Sequence, residues 1–191
     1  IGTHEVPHLW LGYISSDWQH AGNWNWTHVP GTANDVEIPA EAYSGLQVTT
    51  QPATPAVINN LTIAEGGRLV IQPGRALTVN GLLDNQAGEN GLVIQADDSE
   101  IPGSLLHNTA DIPAAMQLYF AGTQWHYIAS PIAAKPTADF NLNNFLYWDA
   151  SVAWQGTGDN TPWKDYTQGT LVPAQGYAYY FYKTILEFSG A

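Results

Sequence analysis

Between residues 57 and 83 one short phrase recurs: Leu61-Thr62-Ile63, Leu69-Val70-Ile71 and Leu77-Thr78-Val79 stand eight residues apart, punctuated by Gly66-Gly67, Pro73-Gly74 and Asn80-Gly81. A three-residue extended piece cannot bury its apolar face alone, so successive copies must stack. Looser copies flank the phrase, with Val36-Glu37-Ile38, Leu46-Gln47-Val48 and Val57-Ile58 before it, and Leu82-Leu83, Leu92-Val93-Ile94 and Leu105-Leu106 after it. Three strands per circuit give about three circuits of ~20 to 25 residues each. The expectation is a short right-handed parallel β-helix. Its rival is a stack of antiparallel hairpins, because Pro-Gly and Asn-Gly turns also close hairpins, and periodicity does not separate the two.

Composition agrees with an all-β chain. The 191 residues are 45% hydrophobic and 12% charged, with 18 Gly, 12 Pro, 8 Trp and 10 Tyr, and no stretch sustains a helical period. Seventeen acidic against five basic residues give a formal charge of -12, which disfavours nucleic acid and anionic lipid as partners. Without cysteine there are no disulfides, thiolate nucleophiles or Cys-ligated zinc. No apolar run approaches the ~20 residues of a membrane span, so membrane insertion is not expected. The chain begins at Ile1 rather than Met and reads as a processed or trimmed form.

Two regions flank the repeat. Upstream, His8 to Tyr13 reads as an alternating strand, and Trp24 and Trp26, two apart in an extended segment, are expected to share one face. Capping the open end of the coil is the favoured role for these indoles over a ligand platform. Downstream, Met116 to Phe120, Gln124 to Ile128, Phe145 to Trp148, Tyr177 to Tyr182 and Ile185 to Phe188 are longer strands with irregular loops, as in an antiparallel β-sandwich-like domain. In Tyr177 to Tyr182, alternation sets Tyr177, Tyr179 and Phe181 against Ala178, Tyr180 and Tyr182. The polar run at 107 to 111 marks the boundary, giving a cap and β-helix over 1–110 and a sheet domain over 111–191.

Several phrases have a familiar order. Trp10-Leu11-Gly12, Ser15-Ser16-Asp17-Trp18, Asn23-Trp24, Val29-Pro30 and Asn34 to Pro39 are followed by Asn59 to Ile63 and Leu77 to Gly81, and then by Trp125 to Pro131, Gly176-Tyr177 and Phe188-Ser189-Gly190. Over nearly its whole length the chain resembles Trp-rich secreted surface proteins of the Bacteroidetes type. That resemblance implies a segment of a longer polypeptide, exported by the type IX secretion route and located outside the cell or on its surface. Members often carry a cysteine before the Asn-Asn pair, where this chain has Ile58, so crosslinking there is lost.

Catalytic patterns are sparse. His4-Glu5-Val6-Pro7-His8 matches H-E-x-x-H, but Pro7 would break the helix that brings two zinc ligands together. Asp97, Asp98 and Glu100 cluster as hard oxygen donors and are the candidate calcium ligands, without the EF-hand order. No other cofactor is expected. A β-helical polysaccharide lyase or glycoside hydrolase is one alternative, yet three circuits give a groove only ~15 Å long at ~4.8 Å per strand. Arg68 and Arg75 are the cations of that zone.

A carbohydrate-binding module is the other alternative, with Trp148, Trp154, Trp163, Tyr166 and Tyr177 as candidate stacking rings and core filling as their competing role. The reading adopted is a non-catalytic structural or adhesive module, with an extracellular glycan or surface protein as partner.

Overall fold

The computed structural model describes residues 6–41, 48–49, 56–99, 101–132, 135–136, 140, 144–153, 161–167, 169–173, 175–181 and 184–190. The chain is all-β. In order, the strands are β1 (His8–Leu9), β2 (Val36–Ile38), β3 (Val48–Thr49), β4 (Ala56–Ile58), β5 (Leu61–Ile63), β6 (Leu69–Ile71), β7 (Ala76–Val79), β8 (Leu83–Asn85), β9 (Leu92–Ile94) and β10 (Ser104–Leu106). They continue as β11 (Ala114–Phe120), β12 (Gln124–Ile128), β13 (Lys135–Pro136), β14 (Phe145–Trp148), β15 (Trp163–Asp165), β16 (Thr170–Leu171), β17 (Tyr177–Phe181) and β18 (Thr184–Gly190).

From β2 to β10 each strand pairs in parallel with the strand three places along the chain. The first sheet runs β1-β2-β5-β8, another β4-β7-β10, and another β3-β6-β9. Pairing over 57–94 is therefore parallel among the described residues, and the hairpin stack is set aside. The register aligns like with like: Val36 with Leu61 and Leu83, Leu69 with Leu92, and Ala56 with Leu77 and Leu105. In Leu61-Thr62-Ile63 the outer residues are fully buried and Thr62 is not, which is the alternation of a strand with one face inward. Leu69-Val70-Ile71 and Leu92-Val93-Ile94 are buried on both faces, and Val70 and Val93 form a small second cluster with Ala115.

Close approach at the corners explains the turn residues. A Cβ on Gly67 would lie 2.8 to 2.9 Å from the carbonyl oxygens of Ile38, Ala64 and Pro39, so only hydrogen fits between these segments. Another corner is stitched by side chains: Asp35 Oδ1 accepts from Nδ2 of both Asn59 and Asn60, each at 2.8 Å, and Asn60 Oδ1 accepts from the Leu82 N–H at 2.7 Å. The Asn-Asn pair thus satisfies backbone and carboxylate groups on successive rungs.

The upstream region departs from expectation. The strand is confined to His8–Leu9, with an isolated bridge from Trp10 to Trp24, and a 3-10 turn occupies Ala21–Asn23. Trp24 and Trp26 do not share a face: Trp24 is fully buried and Trp26 is 49% exposed. The segment is a turn rather than a strand, with the Thr27 N–H donating to the Trp24 carbonyl at 3.0 Å and Thr27 at φ 53. Trp10 and Trp18 are the partners of Trp24 instead. Their rings meet its ring edge-on at 5.0 and 4.7 Å, and all three belong to the same buried cluster as Ile38, Leu61 and Leu69.

Downstream, β11 pairs in parallel with β9 and antiparallel with β18 over seven residues, so it continues a sheet of the stacked region. Beyond it, β12-β17-β14-β15 form an antiparallel sheet and β13-β16 a short pair. A second core gathers Phe120, Ile128, Phe140, Phe145, Tyr177, Tyr179 and Phe188, with Phe145 and Tyr177 stacked at 5.3 Å.

Candidate binding surface

The antiparallel sheet has one face in that second core and one outside. Directly opposed residues point the same way, so the register assigns the faces. Trp125 stands opposite Tyr180, Tyr127 opposite Ala178, Leu146 opposite Ala178 and Asp165, and Trp148 opposite Trp163. These side chains lie on the side away from Phe145, Tyr177 and Tyr179, which are buried. Trp125 is 46%, Tyr127 77% and Trp148 40% exposed, unusual values for large rings gathered on one sheet.

Their geometry is a shallow aromatic basin. Tyr127 and Trp163 are close to parallel, 29° apart with centroids at 5.8 Å, and Trp148 meets Trp163 edge-on at 5.1 Å. Trp125 leans on Tyr180 at 5.4 Å. Between them opens a cavity of about 200 Å³ lined by Trp125, Tyr127, Leu146, Trp163 and Ala178. Ala178 contributes only a methyl group, and this small residue between larger ones leaves the depression.

Of the five rings singled out from sequence, Trp148 and Trp163 are brought together here. Tyr177 is fully buried, with its hydroxyl accepting from the Val172 N–H at 2.8 Å, and is a core residue that offers no face to a ligand. Tyr166 packs edge-on against Phe145 and Tyr177 and donates to the Thr170 carbonyl at 2.6 Å; burial, then Tyr177, push its phenol up from the ordinary value. Trp154 lies outside the described residues. Trp125, Tyr127 and Tyr180 were not singled out. The signal was available, since Trp125 and Tyr127 are two apart in a strand whose Ile128 faces the core.

The acidic turns are occupied locally. Hydrogen bonds from Ser99, one of them from its N–H at 2.9 Å, hold Asp97 below the ordinary carboxylate range, and Asp98 is exposed. Glu100, the third expected calcium ligand, lies outside the described residues, among which no three His, Asp or Glu gather into a metal-binding group. Asp149 is similarly held down by the Ser151 hydroxyl and N–H, at 2.6 and 3.0 Å, and then by Lys164.

One histidine pair was missed, because its members are remote in sequence. His4 and Glu5 lie outside the described residues, whereas His8, 5% exposed, has its Nε2 2.8 Å from His28 Nε2. His28 Nδ1 lies 2.9 Å from the Trp26 carbonyl, which can only accept, so Nδ1 carries the proton and His8 Nε2–H donates to His28. Asp35 and Asn34 line the same cavity of about 390 Å³. Burial, then His28, lower the pKa of His8 from its ordinary 6.5. A base with a lowered folded pKa binds protons more readily unfolded, so its contribution to stability is complete above its ordinary value and lost as pH falls toward the lowered one. The thermal midpoint is therefore expected to fall between about pH 7.5 and 5.5. Replacing His8→Gln should flatten that fall; parallel profiles would count against it.

Comparison with known proteins places residues 9–187 in a family described as a domain of unknown function, DUF8693. The chain belongs to DUF8693. This DUF8693 chain is also similar to the minor fimbrium subunit Mfa5 of Porphyromonas gingivalis, 28% identical over 114 residues. The match covers 54% of the chain but only 9% of that relative's length. No solved structure matches it.

Proposed function

We infer that this DUF8693 chain is a non-catalytic structural and adhesive module of a longer bacterial protein, outside the cell or on its surface. The observation that carries the reading is the pairing of every strand from β2 to β7 with the strand three places on. Strands so arranged are the rungs of a short right-handed parallel β-helix, with Trp10, Trp18 and Trp24 covering its first end. Such a stack is a rigid, repetitive spacer. Likeness to a fimbrium subunit supports assembly at a surface, and the two large buried cores support a division into 1–110 and 111–191, with the small cluster of Val70, Val93 and Ala115 joining the two across β9 and β11.

The test is retention under flow. Beads carrying the chain are passed over immobilised glycans, matrix proteins and bacterial cells, and the same glycans are assayed for cleavage. Retention without cleavage is expected. Reproducible cleavage, or retention on none of the surfaces, would contradict the reading.

A further inference from the structure

We propose that the outer aromatic basin of β12-β17-β14-β15 binds a pyranose ring of a neutral glycan. The inference rests on the adhesive reading and names its ligand. A pyranose has an apolar C–H face that lies flat on aromatic rings, and an edge of hydroxyls that both donate and accept hydrogen bonds. The basin supplies partners for both. Tyr127 and Trp125 are large exposed rings, Leu146 and Ala178 add apolar lining, and the cavity of about 200 Å³ is on the scale of one sugar ring. At its margin Asp165, directly across from Leu146 and exposed, is an acceptor for hydroxyls.

The chemistry selects against two rivals. An acidic sugar would meet Asp165 and a chain of formal charge -12, with Lys164 on the opposite face of β15. A proline-rich peptide also docks on aromatic grooves, but proline lacks an N–H and such a peptide has few donors to offer a carboxylate. The rings are held before any ligand arrives, because each packs on a neighbour across the strands, so little side-chain freedom is lost on binding.

The test titrates the full chain with neutral gluco-, manno-, galacto- and chito-oligosaccharides, oligogalacturonate and a proline-rich peptide, by calorimetry. At least one neutral oligosaccharide should bind, and Trp125→Ala and Tyr127→Ala should each weaken it about tenfold or more. Leu82→Ala, at an exposed residue of the stacked region, should leave it unchanged. Because a variant could lose binding by misfolding, Ala178→Leu serves as a second probe, filling the basin while keeping its rings, and thermal midpoints are checked for all. Binding equal in wild type and in Trp125→Ala, Tyr127→Ala and Ala178→Leu, binding of oligogalacturonate or the peptide alone, or binding of nothing in the panel would overturn the site. Retention on the immobilised glycans that survives Tyr127→Ala would overturn the site while leaving the adhesive reading standing.

Discussion

Trp24→Ala is expected to destabilise the chain by about 3 to 5 kcal/mol, the range for truncating a fully buried large aromatic. Its ring is packed edge-on between Trp10 and Trp18, and its Nε1–H donates to the Trp18 carbonyl at 2.9 Å. Trp10 and Trp18, which pack on it, are themselves fully buried. For a chain of this size the loss corresponds to a fall of roughly 10 °C or more in thermal midpoint. Trp24→Phe, which keeps an aromatic ring but loses the hydrogen bond, should cost less. Trp26→Ala, at the exposed neighbour, should be close to neutral. Equal effects at Trp24 and Trp26 would mean that the indoles share one environment, contrary to the buried trio described above.

Asn23→Leu should cost about as much, for a different reason. The side chain is fully buried and acts as the hub of the loop that carries Trp18. Its Oδ1 accepts from the N–H groups of Ile14 and Ser15 at 2.8 and 3.1 Å, and its Nδ2 donates to the Asp17 carbonyl at 2.8 Å and the Ser15 hydroxyl at 3.2 Å. Leucine is of similar size but answers none of these groups. The four bonds are partly buried, and at about 0.5 to 1.5 kcal/mol for each one lost a total of about 3 kcal/mol is expected. Denaturant unfolding measures it directly. A loss below about 1 kcal/mol would show that water or neighbouring groups replace the hub.

The two substitutions separate what was legible in the amino-acid sequence from what was not. Leu61-Thr62-Ile63 could be read because a strand with one buried face must alternate, and the stacked Val36, Leu61 and Leu83 follow from copying that pattern. The direction of pairing was not legible, since a Pro-Gly or Asn-Gly corner serves a hairpin or a coil equally well. Trp24 and Trp26 part because the two-residue alternation of an extended chain fails across a turn, where Thr27 adopts a positive φ. The pairing of β11 with β18 lies beyond periodicity altogether, as its partners are remote in sequence. The aromatic surface was half legible: Trp148 and Trp163 were among the candidate stacking rings, while Trp125 and Tyr127, whose spacing in a strand marks a common face, show their place only once β12 is set beside β17.

Gly67 shows how tightly the rungs approach, and that closeness makes the stacked arrangement directly measurable. The decisive measurement is a set of cross-strand proton contacts by nuclear magnetic resonance on the full chain. Stacked parallel rungs require contacts linking Thr62 with both Glu37 and Asp84, and Val70 with Val93, in the pattern of parallel strands. Contacts instead joining Leu61–Ile63 to Leu69–Ile71, or Leu69–Ile71 to Ala76–Val79, in the antiparallel pattern of neighbouring hairpin arms would contradict it.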